Sequence, residues 1–145
     1  MGVREGKFVP TFAAGVLVVQ GDELLAVSRQ PPRGTGQVYD WGLPGGKAEP
    51  IETPYMTAQR ELLEETGLYA HGLEPLITVP AEIAGGMPFH VYRPVTVVTG
   101  KLKTTTREGR VRWLNLETFL RMHDPEVSVR ESNRFILYWG LGLIV

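Results

Sequence analysis

The 145-residue chain contains no cysteine. That excludes a disulfide framework, a thiolate metal site and a cysteine nucleophile. It also fits a reducing compartment, and the cytoplasm is the expected location. Excess charge of one sign is missing too: 15 Lys and Arg stand against 16 Asp and Glu, a net charge of −1. The broad basic footprint of a protein that binds extended nucleic acid is therefore absent. His71, His90 and His123 are dispersed and lack the HxxxH spacing of a histidine metal site. Neither a GxSxG elbow nor a Walker-type phosphate loop occurs. No apolar run reaches the about 20 residues of a membrane helix. The longest, Phe135 to Val145, is expected to pack against the core or a second subunit, which makes a homodimer the assembly to test. Residues 1–7 show no apolar signal-peptide run, and Gly6 stands where a myristoylation signal would carry Ser or Thr.

What is present suffices for one domain. The length fits a single unit over residues 1–145, and 43% apolar residues can form a core without covalent staples. No repeat or linker divides it. Phe12 to Val19 is almost continuously apolar, as in a strand covered on both faces. Gly21-Asp22 reads as a turn into a second strand, Leu24 to Ser28, and Gln30 to Asp40 as a loop. Thr53 is a good N-cap with Pro54 at the first helical position, and Gly67 is placed to end that helix in the left-handed conformation. Leu73–Val79, Phe89–Val98 and Arg110–Leu114 read as further strands, the second edge-like or bulged at Pro94. Asn115 and Asp124-Pro125 can start two more helices. Strands mixed with helices predict an α/β sandwich around a mixed sheet.

The helix from Thr53 to Thr66 breaks local rules. At about 100° per residue, Glu61, Glu64 and Glu65 share one face, with Met56 and Leu63 opposite and Leu62 flanking. Like charges at these spacings repel, and Glu64 and Glu65 occupy the last turn, where the helix dipole favours cations. Acidic clusters on helices are most often solvated faces. As a site, this one suits a hard divalent cation such as Mg²⁺, which takes oxygen ligands and substrate phosphates and keeps several waters. A second ion fits if the carboxylates bridge two metals roughly 4 Å apart. Gly42-Leu43-Pro44-Gly45-Gly46, just ahead, lets backbone approach a ligand closely.

The spacing identifies a family. Gly46, five residues, Glu52, seven residues, Arg60-Glu61-Leu62, one residue, Glu64-Glu65, one residue, Gly67-Leu68 resembles the Nudix box at all nine of its fixed positions. Trp41 leading into Leu43-Pro44-Gly45-Gly46, and Arg112-Trp113-Leu114 later, also look like the family. The resemblance weakens after about Arg121. It implies a Nudix-like α/β/α sandwich and Mg²⁺-dependent hydrolysis of a pyrophosphate bond in a nucleoside diphosphate linked to another group, with Mn²⁺ able to substitute. By that similarity Glu61, Glu64, Glu65 and the Gly45 carbonyl hold the metal. Arg60 orients the carboxylates, Glu52 pairs with it, Gly46 and Gly67 shape the helix ends, and Leu62 and Leu68 anchor it. The general base is either a box glutamate or an acid on a later loop, where Glu108 stands, with Glu82 a weaker candidate.

Outside the box the signals thin. Arg29 ends the second strand where similar proteins carry a phosphate-binding arginine, and Arg33 and Lys47 lie near the same loop. Tyr39, Phe89 and Tyr92 are possible base-stacking residues, although core packing is the commoner role of a single aromatic. Trp41 and Trp113 are assigned to structure. The proline that the ADP-ribose branch carries beyond the box would fall at Ile83 and Ala84, between Pro80 and Pro88, and Ala84-Gly85-Gly86 replaces the tyrosine of the dinucleoside-polyphosphate branch. By elimination the substrate is expected to be a (d)NTP or oxidised (d)NTP, giving NMP and pyrophosphate, as in small MutT-type members. The alternatives are an ADP-ribose or nucleotide-sugar pyrophosphatase, or a silent nucleotide sensor.

Overall fold

The computed structural model describes residues 7–29, 39–105, 109–117 and 127–129, with 29, 39, 40 and 127–129 described through their backbone alone. The apolar run from Phe12 divides between two sheets. β1 (Ala13–Val16) belongs to the first and β2 (Val19–Gln20) to the second. The crossing falls at Leu17 and Val18: Leu17 N–H donates to the Tyr92 carbonyl at 2.8 Å, and Leu25 N–H donates to the Val18 carbonyl at 3.0 Å. A segment flanked by both sheets is buried on every side, which is why it is apolar without alternation.

The Gly21-Asp22 turn, with Gly21 at φ 62°, brings β2 back onto β3 (Glu23–Arg29) in the register Val19↔Leu24 and Gln20↔Glu23. β4 (Tyr39–Gly42) and β5 (Gly45–Lys47) follow, then α1 (Pro54–Thr66), β6 (Leu68–Tyr69), β7 (Leu73–Val79) and the one-turn helix α2 (Ala81–Ala84). β8 (Phe89–Pro94), β9 (Thr99–Gly100), β10 (Gly109–Asn115) and β11 (Val127–Val129) complete the described elements. The first sheet has the order β5-β1-β8-β7 and the second β10-β3-β4-β11, with β2 also on β3. Each contains one parallel pair, β1 with β8 and β4 with β11. The expected α/β class holds, with two mixed sheets in place of one.

Pro94 ends β8 where a longer strand to Val98 was expected, and the following residues instead lead into β9, which pairs with β6. The ladder irregularity falls in β7, between Pro75 and Ile77. A proline has no N–H to continue a ladder, so strands stop or slip there. Asn115 Oδ1 accepts the Glu117 N–H at 3.0 Å where a helical turn begins at Leu116. The expected helix at Asp124-Pro125, the apolar segment from Phe135, most of the 30–40 loop, Arg33, Glu108 and His123 lie outside the described residues.

Two apolar clusters fill the interior. Leu17, Leu24, Ala26, Trp41, Leu43, Val79 and Val91 form one. Ala14, Val16, Val18, Leu25, Ala58, Leu62, Leu68 and Val111 belong to the other, on the side of α1. Leu24 and Leu25 fall in different clusters because successive strand residues face opposite ways. Trp41 is buried, with the Arg112 guanidinium 5.6 Å from its ring centroid.

The turn before α1 carries an outlier. Ile51 follows Pro50, sits at φ 61° and is 97% exposed. A β-branched residue pays in steric strain for the left-handed conformation and recovers nothing from burial here. Ile51→Gly should therefore raise stability by up to about 1 kcal/mol, partly offset by glycine's unfolded-state entropy. The urea midpoint measures this, and a lower midpoint would show that the isoleucine side chain is needed.

Candidate active site

α1 begins and ends as its sequence predicts. Thr53 Oγ1 accepts the Met56 N–H at 3.2 Å, Pro54 takes the first turn, and Gly67 at φ 79° donates its N–H to the Leu63 carbonyl at 2.9 Å. Its orientation inverts the usual amphipathic sense. The inward face is Thr57, Ala58, Leu62 and Thr66, while Met56 and Leu63 remain 47% and 46% exposed. The small Thr57 and Ala58 let the helix lie close to β1 and β5. Glu61 and Glu65 consequently point toward β5 and not into bulk water.

Arg60 organises the acids. Its Nε donates to Glu52 Oε2 at 2.8 Å and NH2 to Glu52 Oε1 at 2.9 Å, a two-pronged pair. NH1 donates to Glu61 Oε1 at 2.8 Å and Glu64 Oε2 at 3.1 Å, and NH2 also reaches the Lys47 carbonyl at 3.1 Å. Glu52 Oε1 further accepts the Glu49 N–H at 2.7 Å and the Thr57 hydroxyl at 2.9 Å. The Arg60 bonds hold the Glu52 carboxyl down at about 2, against the opposing pull of burial. The guanidinium is correspondingly pushed further up, first by Glu52.

The other side of the site is β5. Glu65 Oε1 accepts the Gly45 N–H at 3.0 Å. A Cβ built on Gly46 would lie 2.6 Å from Glu61 Oε1 and 2.7 Å from its Cδ. Gly46 therefore makes room for a carboxylate, and Gly46→Ala should displace Glu61. Turnover should fall at least about tenfold, as when a ligand loses its support. Wild-type turnover in a folded Gly46→Ala protein would count against the placement of Glu61.

The last turn of α1, with Glu64 and Glu65 and no basic residue of its own, receives a cation from elsewhere. Lys103 Nζ reaches the Glu64 carbonyl at 3.4 Å, and Lys103 N–H donates to the Thr66 carbonyl at 2.8 Å. Sequence reading missed Lys103 because 39 residues separate it from Glu64. Thr57 was missed as well, though a hydroxyl on the inward helix face was a visible signal.

The remaining candidates are distributed as follows. Arg29 pairs with Asp40 and Gly109 across the second sheet, and Tyr39 with Val127. Arg29, Tyr39 and the neighbour of Glu108 thus share one end of that sheet. Phe89 is half-buried on the first core cluster, its ring against the backbone of Gly15 and Gly45. Tyr92 packs edge-on to Tyr55 at 5.7 Å, and burial raises its phenol. Glu82 is exposed on α2, and the Lys47 side chain is exposed. His71 and His90 bond Thr99 and Thr78.

Among the described residues no three acidic or histidine side chains converge as a ready metal cage. The donor chemistry nevertheless fits a hard dication. Glu61, Glu64 and Glu65 supply only oxygen, two of them lie against β5, and Mg²⁺ completes its shell with water and substrate phosphates.

A family model described as NUDIX domain matches residues 9–132. A Streptomyces rubellomurinus protein named CMP-5'-(N-acetyl-N-hydroxy-3-aminopropyl)phosphonate hydrolase is 30% identical over 142 residues, covering 96% of this chain and 68% of that protein. A Mycobacterium tuberculosis protein named "Putative 8-oxo-dGTP diphosphatase 3" is 42% identical over 79 residues, covering 51% of this chain but only 36% of its own length. The crystal structure of a MutT NUDIX hydrolase from Burkholderia pseudomallei shares the fold, with a TM-score of 0.68 at 23% identity over 91% of this chain and 98% of that one. No helix among the described residues is long and apolar enough to cross a membrane. With the family model spanning most of the chain and the box acids gathered around Arg60 beside β5, this chain belongs to the Nudix family of hydrolases.

Proposed function

We propose that this chain is an active Mg²⁺-dependent nucleotide pyrophosphohydrolase whose substrate is a (d)NTP or oxidised (d)NTP, cleaved to NMP and pyrophosphate. The observation that carries it is the Arg60 fork. One guanidinium bonds Glu52, Glu61 and Glu64 while Glu65 is held at the Gly45 N–H, an arrangement that supports reading the box acids as a working set. A silent sensor has no use for all three.

Glu61, Glu64, Glu65 and the Gly45 carbonyl would hold the metal. When bound, Mg²⁺ neutralises phosphate charge, polarises the scissile P–O bond and lowers the pKa of a water. Around it, Arg60 orients the two carboxylates it bonds, and Glu52 keeps Arg60 in place. A glutamate of the box, or Glu108, accepts the proton of the attacking water. That oxygen bonds to phosphorus as the anhydride P–O bond breaks, and the electron pair leaves with pyrophosphate. Arg29, Tyr39 and Phe89 are the proposed contacts to phosphate and base.

The mycobacterial relative's name supports the oxidised-nucleotide reading, over half of this chain. A second reading is favoured by the Streptomyces protein, similar over 96% of this chain, whose named substrate is a CMP-linked phosphonate. The deciding experiment is turnover of dGTP, 8-oxo-dGTP, ADP-ribose, a UDP-sugar and a CMP-linked phosphonate with Mg²⁺ or Mn²⁺, with both products identified. Activity should vanish with EDTA and return with Mg²⁺. Nucleotide binding without turnover across the panel would establish a sensor instead.

A further inference from the structure

The buried polar side chains among the described residues are Ser28, Thr57 and Thr66. A buried hydroxyl needs a hydrogen-bond partner, and two of the three find theirs in backbone groups. Thr66 Oγ1 donates to the Leu62 carbonyl at 2.6 Å and accepts the Leu68 N–H at 3.1 Å, closing the helix. Ser28 Oγ accepts the Arg110 N–H at 3.4 Å, within the ladder of β3 and β10.

Thr57 is different. It lies on the inward face of α1, fully buried beside Ala58. Valine would occupy the same volume there without desolvating a hydroxyl. Thr57 Oγ1 does not turn back to its own helix but reaches Glu52 Oε1 at 2.9 Å. That oxygen also accepts from Glu49 N–H and Arg60 NH2. Glu49 belongs to an exposed turn, whereas Thr57 sits on the same helical frame as Arg60, Glu61 and Glu64.

We propose that Thr57 is a positioning residue for hydrolysis: its buried hydroxyl fixes the Glu52 carboxylate, Glu52 fixes the Arg60 fork, and Arg60 aims Glu61 and Glu64. The inference rests on the reading of those glutamates as catalytic acids, and its test reads the two apart. Thr57→Val keeps volume and removes the hydroxyl, and Thr57→Ser keeps the hydroxyl. With Mg²⁺ and the substrate found by the nucleotide panel, Thr57→Val should lower kcat about tenfold with KM within about twofold, as for other supporting-shell losses. Thr57→Ser should stay within about twofold of wild type in both.

Independently of turnover, the Arg60 Nε–H proton, followed by ¹⁵N NMR in the metal-free protein, should exchange faster by about tenfold in Thr57→Val and at the wild-type rate in Thr57→Ser. If Thr57→Val does not fold, Thr57→Ala removes the hydroxyl without adding a methyl and serves both measurements. Wild-type kcat and exchange in the hydroxyl-free variant would overturn the proposal. So would a serine variant as impaired as the valine one. Failure of the hydrolase reading shows separately, as a wild-type protein that turns over nothing, and refutes a role in hydrolysis whatever the exchange rates.

Discussion

Glu65→Gln should lower turnover by on the order of 10²–10³-fold while the protein folds normally. Glu65 Oε1 accepts the Gly45 N–H at 3.0 Å, and a glutamine oxygen can accept the same bond. The link between α1 and β5 therefore survives and only the charge is lost. Removing that charge deprives a bound dication of a carboxylate, which is where the loss in rate arises. It also relieves one like-charge repulsion near the negative end of the helix dipole, so the metal-free protein should be slightly more stable, by a few tenths of a kcal/mol. Initial rates with Mg²⁺ and a thermal melt in EDTA test both statements. Near-wild-type turnover would remove Glu65 from the catalytic set, and a lower melting temperature would show that its charge supports the fold.

The largest effect on stability is expected for Arg60→Met. Glu52, only 10% exposed, and Glu61 would lose the guanidinium that bonds them. Removing one partner of a largely buried ion pair leaves an uncompensated charge and costs about 3 kcal/mol or more. The pH dependence has a definite sign. In the wild type the Glu52 carboxyl is lowered from 4.5 to about 2. Its contribution to stability is therefore complete above pH 4.5 and fades as the pH falls toward 2. Without Arg60, Glu52 loses the largest influence that lowers it, and burial then favours the neutral form against only the Glu49 N–H and the Thr57 hydroxyl. The stability gap between wild type and Arg60→Met should accordingly narrow from pH 7 to pH 3 in urea titrations. A gap of equal size at both pH values would mean that Glu52 is not the group left uncompensated. Activity should be lost as well, because Glu61 and Glu64 share Arg60 NH1 as their donor.

How much of this was legible in the sequence depends on the range of each interaction. The N-cap of Thr53 and the left-handed Gly67 involve residues within one turn and were readable directly, and the pairing of Glu52 with Arg60, eight residues apart, was implied by the resemblance to the Nudix box. The span of the strand Leu73–Val79 followed from its apolar run, and the turn at Gly21-Asp22 from turn chemistry, whereas their registers came only with the structure. The strand expected from Phe12 to Val19 split, because a run buried on all sides looks the same in one sheet as at the crossing of two. Pro94 marked a strand end as well as it could have marked a bulge.

The sequence by itself determined the family, the helix, its caps and the set of acids, because a box of nine fixed positions is a local pattern. Only the tertiary structure decided where those acids point. Sheet packing against Ala58 and Leu62 turns Glu61 and Glu65 toward β5 and leaves Met56 and Leu63 in solvent, against what hydrophobicity alone would favour. It also brought Lys103 to the acidic end of α1 across 39 residues and placed the Gly45 N–H against Glu65 across 20. The acidic helix violates local electrostatic rules, and its compensation comes from partners that chain folding, and no local spacing, delivers.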